Sequence, residues 1–282
     1  MEDFATYILE EKSLAQKMLI TYYLSKKTGI FFDKSIVLKA EIASLFIDYM
    51  KIDVDDNLVL TAMLLANCKK VENAQKMGKL ETFAKEGAEY LASLGFNKRF
   101  CKICEEINRY SKSMPREKES DIIEVVDQFT GLILNRIERE AFSPLEALVV
   151  LRERNLKYTD NKYIDLFENF VKDLEEITIK ETITVPIIKK LVHLHNKEAN
   201  VKTFIATLSN TYSEKINDAI TKSLKSNTKK VLIKQENKTE QKSDIEKMRD
   251  LVTSTRKTSR ALFSDDTAEK ILNHKTSYKL EE

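Results

Sequence analysis

Few side chains in this sequence are suited to chemistry, and they are scattered. Cys101 and Cys104 form a C-x-x-C, the spacing of a redox pair or of half a zinc set. No second pair or neighbouring histidine cluster completes a metal set. The plainer reading is two small apolar side chains one turn apart on a buried helix face, with Cys68 as the third thiol. His193 and His195 flank Leu194, so on a helix they point to different sides and do not chelate one ion together. Asp127 stands in an apolar run and is open to three roles: metal ligand, polar helix-packing contact, or ion pair to Arg136 or Arg139. The two arginines could fork onto a phosphate or form a solvated, ion-paired face. Ser254 to Arg260 is a short basic, hydroxyl-rich patch. It suits an anionic partner or phosphorylation, and equally a solvated tail.

The elements that must carry these residues are helical by pattern. Residues 3–27 read as one helix, with Tyr7, Ile8, Leu14, Met18 and Tyr22 near helical spacing and Gly29 as its C-terminal cap. Residues 35–50 form a second, with Val37, Ile42, Leu45, Phe46 and Tyr49 on one stripe. A third begins at Val54-Asp55-Asp56 and runs through the apolar stretch to Leu65. Residues 80–94 and 98–110 give two more, split at Gly95. Residues 121–139 give another, with Ile122, Val125, Val126, Phe129 and Ile133 facing inward. Ser143 with Glu146 is a capping box, and Pro144 takes the favoured first helical position. Ile164, Phe167, Phe170, Val171 and Leu174 mark the helix after Asp160. Residues 177–185 alternate as a short strand or a loop, and 187–224 hold two further helices. From 225 the composition turns to Lys, Ser, Thr, Asn and Gln, which reads as a flexible tail with short helices at 244–251 and 267–272.

Composition narrows the class. With 282 residues, 42% hydrophobic, 5 Gly and 3 Pro, the chain can bury a sizeable core and has few tight turns. Lys+Arg 47 against Asp+Glu 45 leaves a net charge of +2, which speaks against nucleic acid as a partner of the whole chain. No apolar run is long enough for a membrane span, the acidic start lacks a signal-peptide pattern, and the odd cysteine count suits a reducing, cytoplasmic compartment.

One stretch is more specific. Asp127, Phe129 and Leu132 are followed by Arg136-x-x-Arg139, then by Ser143-Pro144-x-Glu146-Ala147-Leu148. This resembles, without a gap, the closing part of the HD-GYP branch of the HD phosphohydrolase superfamily, and the resemblance extends over about residues 30–175. It implies an HD-domain-like, all-α bundle, preceded by an N-terminal helix at 1–29. A helical extension at 176–224 and the polar tail at 225–282 would follow.

The resemblance also implies a metal centre built from His and Asp on adjacent helices, and at those positions the ligands are gone. The run that should end in His-Asp reads Ala62-Met63-Leu64-Leu65-Ala66-Asn67-Cys68-Lys69-Lys70. An earlier His falls at Leu38 and a third at Phe83, ahead of Gly87-Ala88. A His-His-Glu segment falls near Asn108-Arg109-Tyr110, and the Gly-Tyr-Pro loop is replaced by the charged residues 112–119. Only Asp127 remains, and one carboxylate does not hold two metals. The expectation is a catalytically silent scaffold or regulatory protein of bacterial signalling, with no metal or cofactor and a protein partner. The alternatives are a divalent-metal-dependent phosphodiesterase acting on cyclic di-GMP or another nucleotide, and a nucleotide sensor that binds through Lys70, Arg136 and Arg139 without turnover.

Overall fold

Short polar side chains decide where the helices begin. The computed structural model describes residues 4–71, 78, 82–107, 116–136, 139–153, 161–179, 185–209, 215–216 and 218–222. These all lie in Met1–Lys225, the first of two units into which the chain divides. The first elements are α1 (Phe4–Glu10), α2 (Leu14–Thr28), α3 (Lys34–Met50), α4 (Asp56–Leu65), α5 (Phe83–Ser93) and α6 (Lys98–Glu106). Ser13, Asp33, Asp55 and Asn97 open α2, α3, α4 and α6. Each accepts a bond from a first-turn backbone N–H, at 3.4, 3.1, 3.1 and 2.9 Å. Gly29 ends α2 with φ of 69°, as expected.

The expected single helix over 3–27 is two helices. The apolar spacing runs on through the break, but Ser13 caps α2, its own N–H bonds Glu11 Oε1 at 2.7 Å, and the chain turns. Lys17, fully buried, bridges the break. Its ammonium donates to the Ile8 carbonyl, near the end of α1, and to Thr61 Oγ1 on α4 at 2.7 Å. A charged side chain thereby satisfies a helix-end carbonyl that would otherwise be orphaned.

The chain continues through α7 (Lys118–Leu132), α8 (Pro144–Glu153), α9 (Asn161–Glu176), strands β1 (Thr178–Ile179) and β2 (Val185–Pro186), and helices α10 (Ile187–Lys197) and α11 (Val201–Thr207). Among the described residues the fold is all-α apart from the two-residue antiparallel ladder of β1 and β2, which makes strand of 178–179 and 185–186; residues 180–184 lie outside the described residues. The capping box at α8 is present: Ser143 N–H and Oγ donate to Glu146 Oε2 at 2.9 and 2.8 Å. The expected helix over 121–139 starts earlier and stops at Leu132, so Arg136 and Arg139 lie beyond it. They pair backbone to backbone across a reversal, at 2.8 and 3.2 Å.

α3 and α7 form the centre. α3 packs on α4, α7, α9, α10 and α11, so it is buried nearly all round rather than along one stripe. Phe46 of α3 meets Phe167 and Phe170 of α9, with ring centroids at 4.9 and 5.3 Å, and Phe129 of α7 meets Phe167 at 4.9 Å. No described helix is long and apolar enough to cross a membrane. The expected tail at 225–282, including residues 254–260, and the 108–115 segment lie outside the described residues.

Encasing α3 buries charge as well as hydrocarbon. Burial, with the Asp48 charge, pushes the Glu41 carboxyl up to about 7 from 4.5. A folded value above the unfolded one gives stability that is full at pH below 4.5 and is lost as pH rises through 7. Glu41→Gln is therefore expected to stabilise the protein by roughly 2–3 kcal/mol at pH 8 and to change little at pH 4. Urea unfolding at both pH values checks this, and an equal effect at the two would count against it.

Candidate functional site

The end of α3 nearest its cap, the chain after α4, the end of α7 and the α10–α11 turn converge on one cleft of about 560 Å³. At its floor Lys39 of α3 reaches Asp127 of α7, with Nζ 2.7 Å from Oδ1. Lys39 is 6% exposed and Asp127 22% exposed, so the pair is largely out of water. Burial alone would raise the Asp127 carboxyl. The charges of Lys39 and Lys70, the hydrogen bond from Lys39 and the charge of Arg136 outweigh it and hold the group below its ordinary value. Of the three roles open to Asp127, the geometry gives an ion pair, but to Lys39 rather than to Arg136 or Arg139.

Lys70 is half-buried beside this pair. Burial, and then the like charge of Lys39, pull its ammonium below the ordinary lysine value, against the attraction of Asp127. Its Nζ stands 5.9 Å from the centroid of Phe31, and among the described residues it makes no hydrogen bond. Arg136 extends back over α7. A Cβ built on Gly131 would lie 2.6 Å from an Arg136 terminal nitrogen, so the glycine leaves the guanidinium its resting place. Lys34 reaches the other wall, donating to the carbonyls of His195 and Glu198 at 2.7 Å each. It ties the start of α3 to the end of α10.

The expected anion set of Lys70, Arg136 and Arg139 is thus only partly assembled. Lys70 and Arg136 line the cleft; Arg139 does not. Its guanidinium donates to the carbonyls of Gly131 at 2.6 Å and of Leu132 and Glu140 at 2.8 Å, capping the end of α7. Lys26, Lys34 and Lys39 were not anticipated as site residues. The signal was there for Lys39, a lone cation in the run Ile36-Val37-Leu38-Lys39-Ala40, where a stem wrapped in hydrocarbon needs a partner.

The positions at which the resemblance places metal ligands do not fit a metal. Leu38 and Ala66 are fully buried, Phe83 is buried at the start of α5, and none carries a ligating atom. Asn67 is buried, and its Nδ2 makes no hydrogen bond among the described residues. Asp127 already faces an ammonium. Among the described residues no three His, Cys, Asp or Glu side chains group as a metal would need.

The other reactive side chains sit apart from the cleft's floor. Cys104 is buried, and burial together with Cys68 and Cys101 holds its thiol well above the usual value. Such a thiol is a poor nucleophile. His193 is exposed, while His195 packs edge-on to Phe204 with centroids 5.7 Å apart, so the two do diverge. Comparison with protein-family models, with curated proteins and with solved structures finds no match.

Proposed function

We propose that this protein is a non-catalytic scaffold or regulatory protein, built on an HD-GYP-like helical bundle. It would act in bacterial signalling through a protein partner rather than by cutting a phosphodiester. The observation that supports this reading is the contact of Lys39 with Asp127. A hydrolytic centre of that class relies on divalent metals that bind water and lower its pKa. Here the one carboxylate of the expected ligand set faces an ammonium at 2.7 Å, with the charges of Lys70 and Arg136 close by. An ammonium offers no open coordination position at which water could be activated, and its charge repels a divalent ion. The hydrocarbon side chains of Leu38, Ala66 and Phe83 remove the other donors. Three free thiols suit a reducing, cytoplasmic setting.

The test is the metal content of the purified protein by mass spectrometry, paired with hydrolysis of cyclic di-GMP in added manganese. Substoichiometric metal and no turnover are expected. Stoichiometric metal, or turnover abolished by a chelator, would overturn the reading in favour of an enzyme with an unusual ligand set.

A further inference from the structure

The geometry points to the cleft between α3, α7 and the α10–α11 turn as a metal-free binding site for a small molecule bearing a phosphate or pyrophosphate group. Lys70 and Arg136 are its donors, and the Lys39–Asp127 pair is its fixed floor. Lys26, Lys34, Lys39, Lys70 and Arg136 line the cleft, against the single lining carboxylate of Asp33. Asp127 offsets Lys39, and the Asp33 carboxylate is engaged as the cap of α3 through the Ile36 N–H and the Ser35 hydroxyl. The cleft lining thus carries more positive than negative side chains, which favours an anion. A phosphate monoester carries about −1.5 to −2 at neutral pH and presents three strong acceptor oxygens, which match an ammonium and a guanidinium fork. A concave site of about 560 Å³ fits a small ligand. A membrane or a nucleic acid would instead need an extended basic face, and the chain's net charge is only +2.

Lys70 carries the inference furthest. A half-buried ammonium with no hydrogen bond among the described residues costs stability. In the free protein the Asp127 charge and the Phe31 ring offset part of that cost, whereas an anion in the cleft would give the ammonium a hydrogen-bonded counter-charge. Holding a destabilising group at a binding site is the usual trade between stability and activity. The inference rests on the metal-free reading of Lys39 and Asp127, and the two fail separately. Bound metal or turnover sinks that reading; absence of anion binding in chelator sinks this one.

The experiment is isothermal titration of the full chain with inorganic pyrophosphate in EDTA, with acetate at matched ionic strength as the comparison. Pyrophosphate is expected to bind, less tightly as salt rises, and acetate to give no heat. Lys70→Met is expected to weaken pyrophosphate at least about tenfold, the loss of one charge-assisted hydrogen bond, while raising the melting temperature of the ligand-free protein. Gly131→Ala, whose methyl displaces the Arg136 guanidinium, should weaken binding and leave the fold intact. Lys222→Ala, an exposed charge paired with Asp218, should leave binding unchanged. The inference is overturned by no binding in EDTA, by acetate binding as well as pyrophosphate, or by Lys70→Met that binds normally. A Lys70→Met protein that is less stable than wild type would assign Lys70 a structural role and overturn it too.

Discussion

Replacing Arg116 with Met is expected to cost about 3–5 kcal/mol, a large share of the ~5–15 kcal/mol by which a folded protein is stable. Arg116 is 4% exposed at the entry to α7. Its Nη1 lies 2.7 Å from Glu124 Oε2, and its Nη2 donates to the Glu106 carbonyl at 2.8 Å. Nε lies 3.3 Å from Asp121 Oδ1, close enough for charge attraction without the alignment of a hydrogen bond. Glu124 and Asp121 are 2% and 9% exposed, and Glu106 and Glu119 are also buried on facing helices. Four buried carboxylates thus crowd this end of α7: Glu119 pairs with Arg99, Glu106 with Lys102 and the Ser120 hydroxyl, and Arg116 supplies the positive charge facing Asp121 and Glu124. Removing it leaves negative charge with less compensation where desolvation is most costly. Arg116→Lys should recover only part of the loss, since an ammonium cannot reproduce the planar fork. Urea unfolding followed by circular dichroism measures both, and a Met variant within about 1 kcal/mol of wild type would show the network to be dispensable.

The parts of the fold legible in the sequence were those fixed by local chemistry. Ser143 with Glu146 and the glycine after α2 act within one turn, so a few residues determine them. The all-helical class followed from apolar spacing. What was missed depends on residues far apart in the chain. α7 reads as longer because no Gly or Pro directly follows Leu132; the Arg139 side chain, reaching back to the carbonyls of Gly131 and Leu132, caps it instead. α1 and α2 read as one helix because the apolar spacing runs on through the break, whereas the contact that bridges the break joins Lys17 to Thr61, 44 residues on. The candidate site was half legible for the same reason. Asp127, Lys70 and Arg136 stand out in the sequence by their charge, whereas Lys39 acquires its role only when α3 and α7 pack together and bring residues 88 apart into contact.

That contact sets the second large effect. Lys39→Met is expected to destabilise the protein by about 3–5 kcal/mol at pH 7, because a largely buried carboxylate loses its hydrogen-bonded counter-charge. The folded pKa of Asp127 is depressed below 3.8, so the pair's contribution is present above that value and is lost as pH falls through the lower folded one. The Lys39→Met penalty should therefore shrink in acid, where Asp127 is protonated in both proteins. Removing both charges tests the pair directly. Lys39→Met with Asp127→Leu should cost markedly less than Lys39→Met alone, since an apolar pair of similar size replaces a costly desolvated one. A double-mutant cycle from urea unfolding gives the coupling. Strong coupling means the ammonium holds Asp127 in its ionised form. Additive single and double costs would mean the two charges are independently solvated, and the proposed non-catalytic reading, which leans on the Lys39–Asp127 contact, would lose its support.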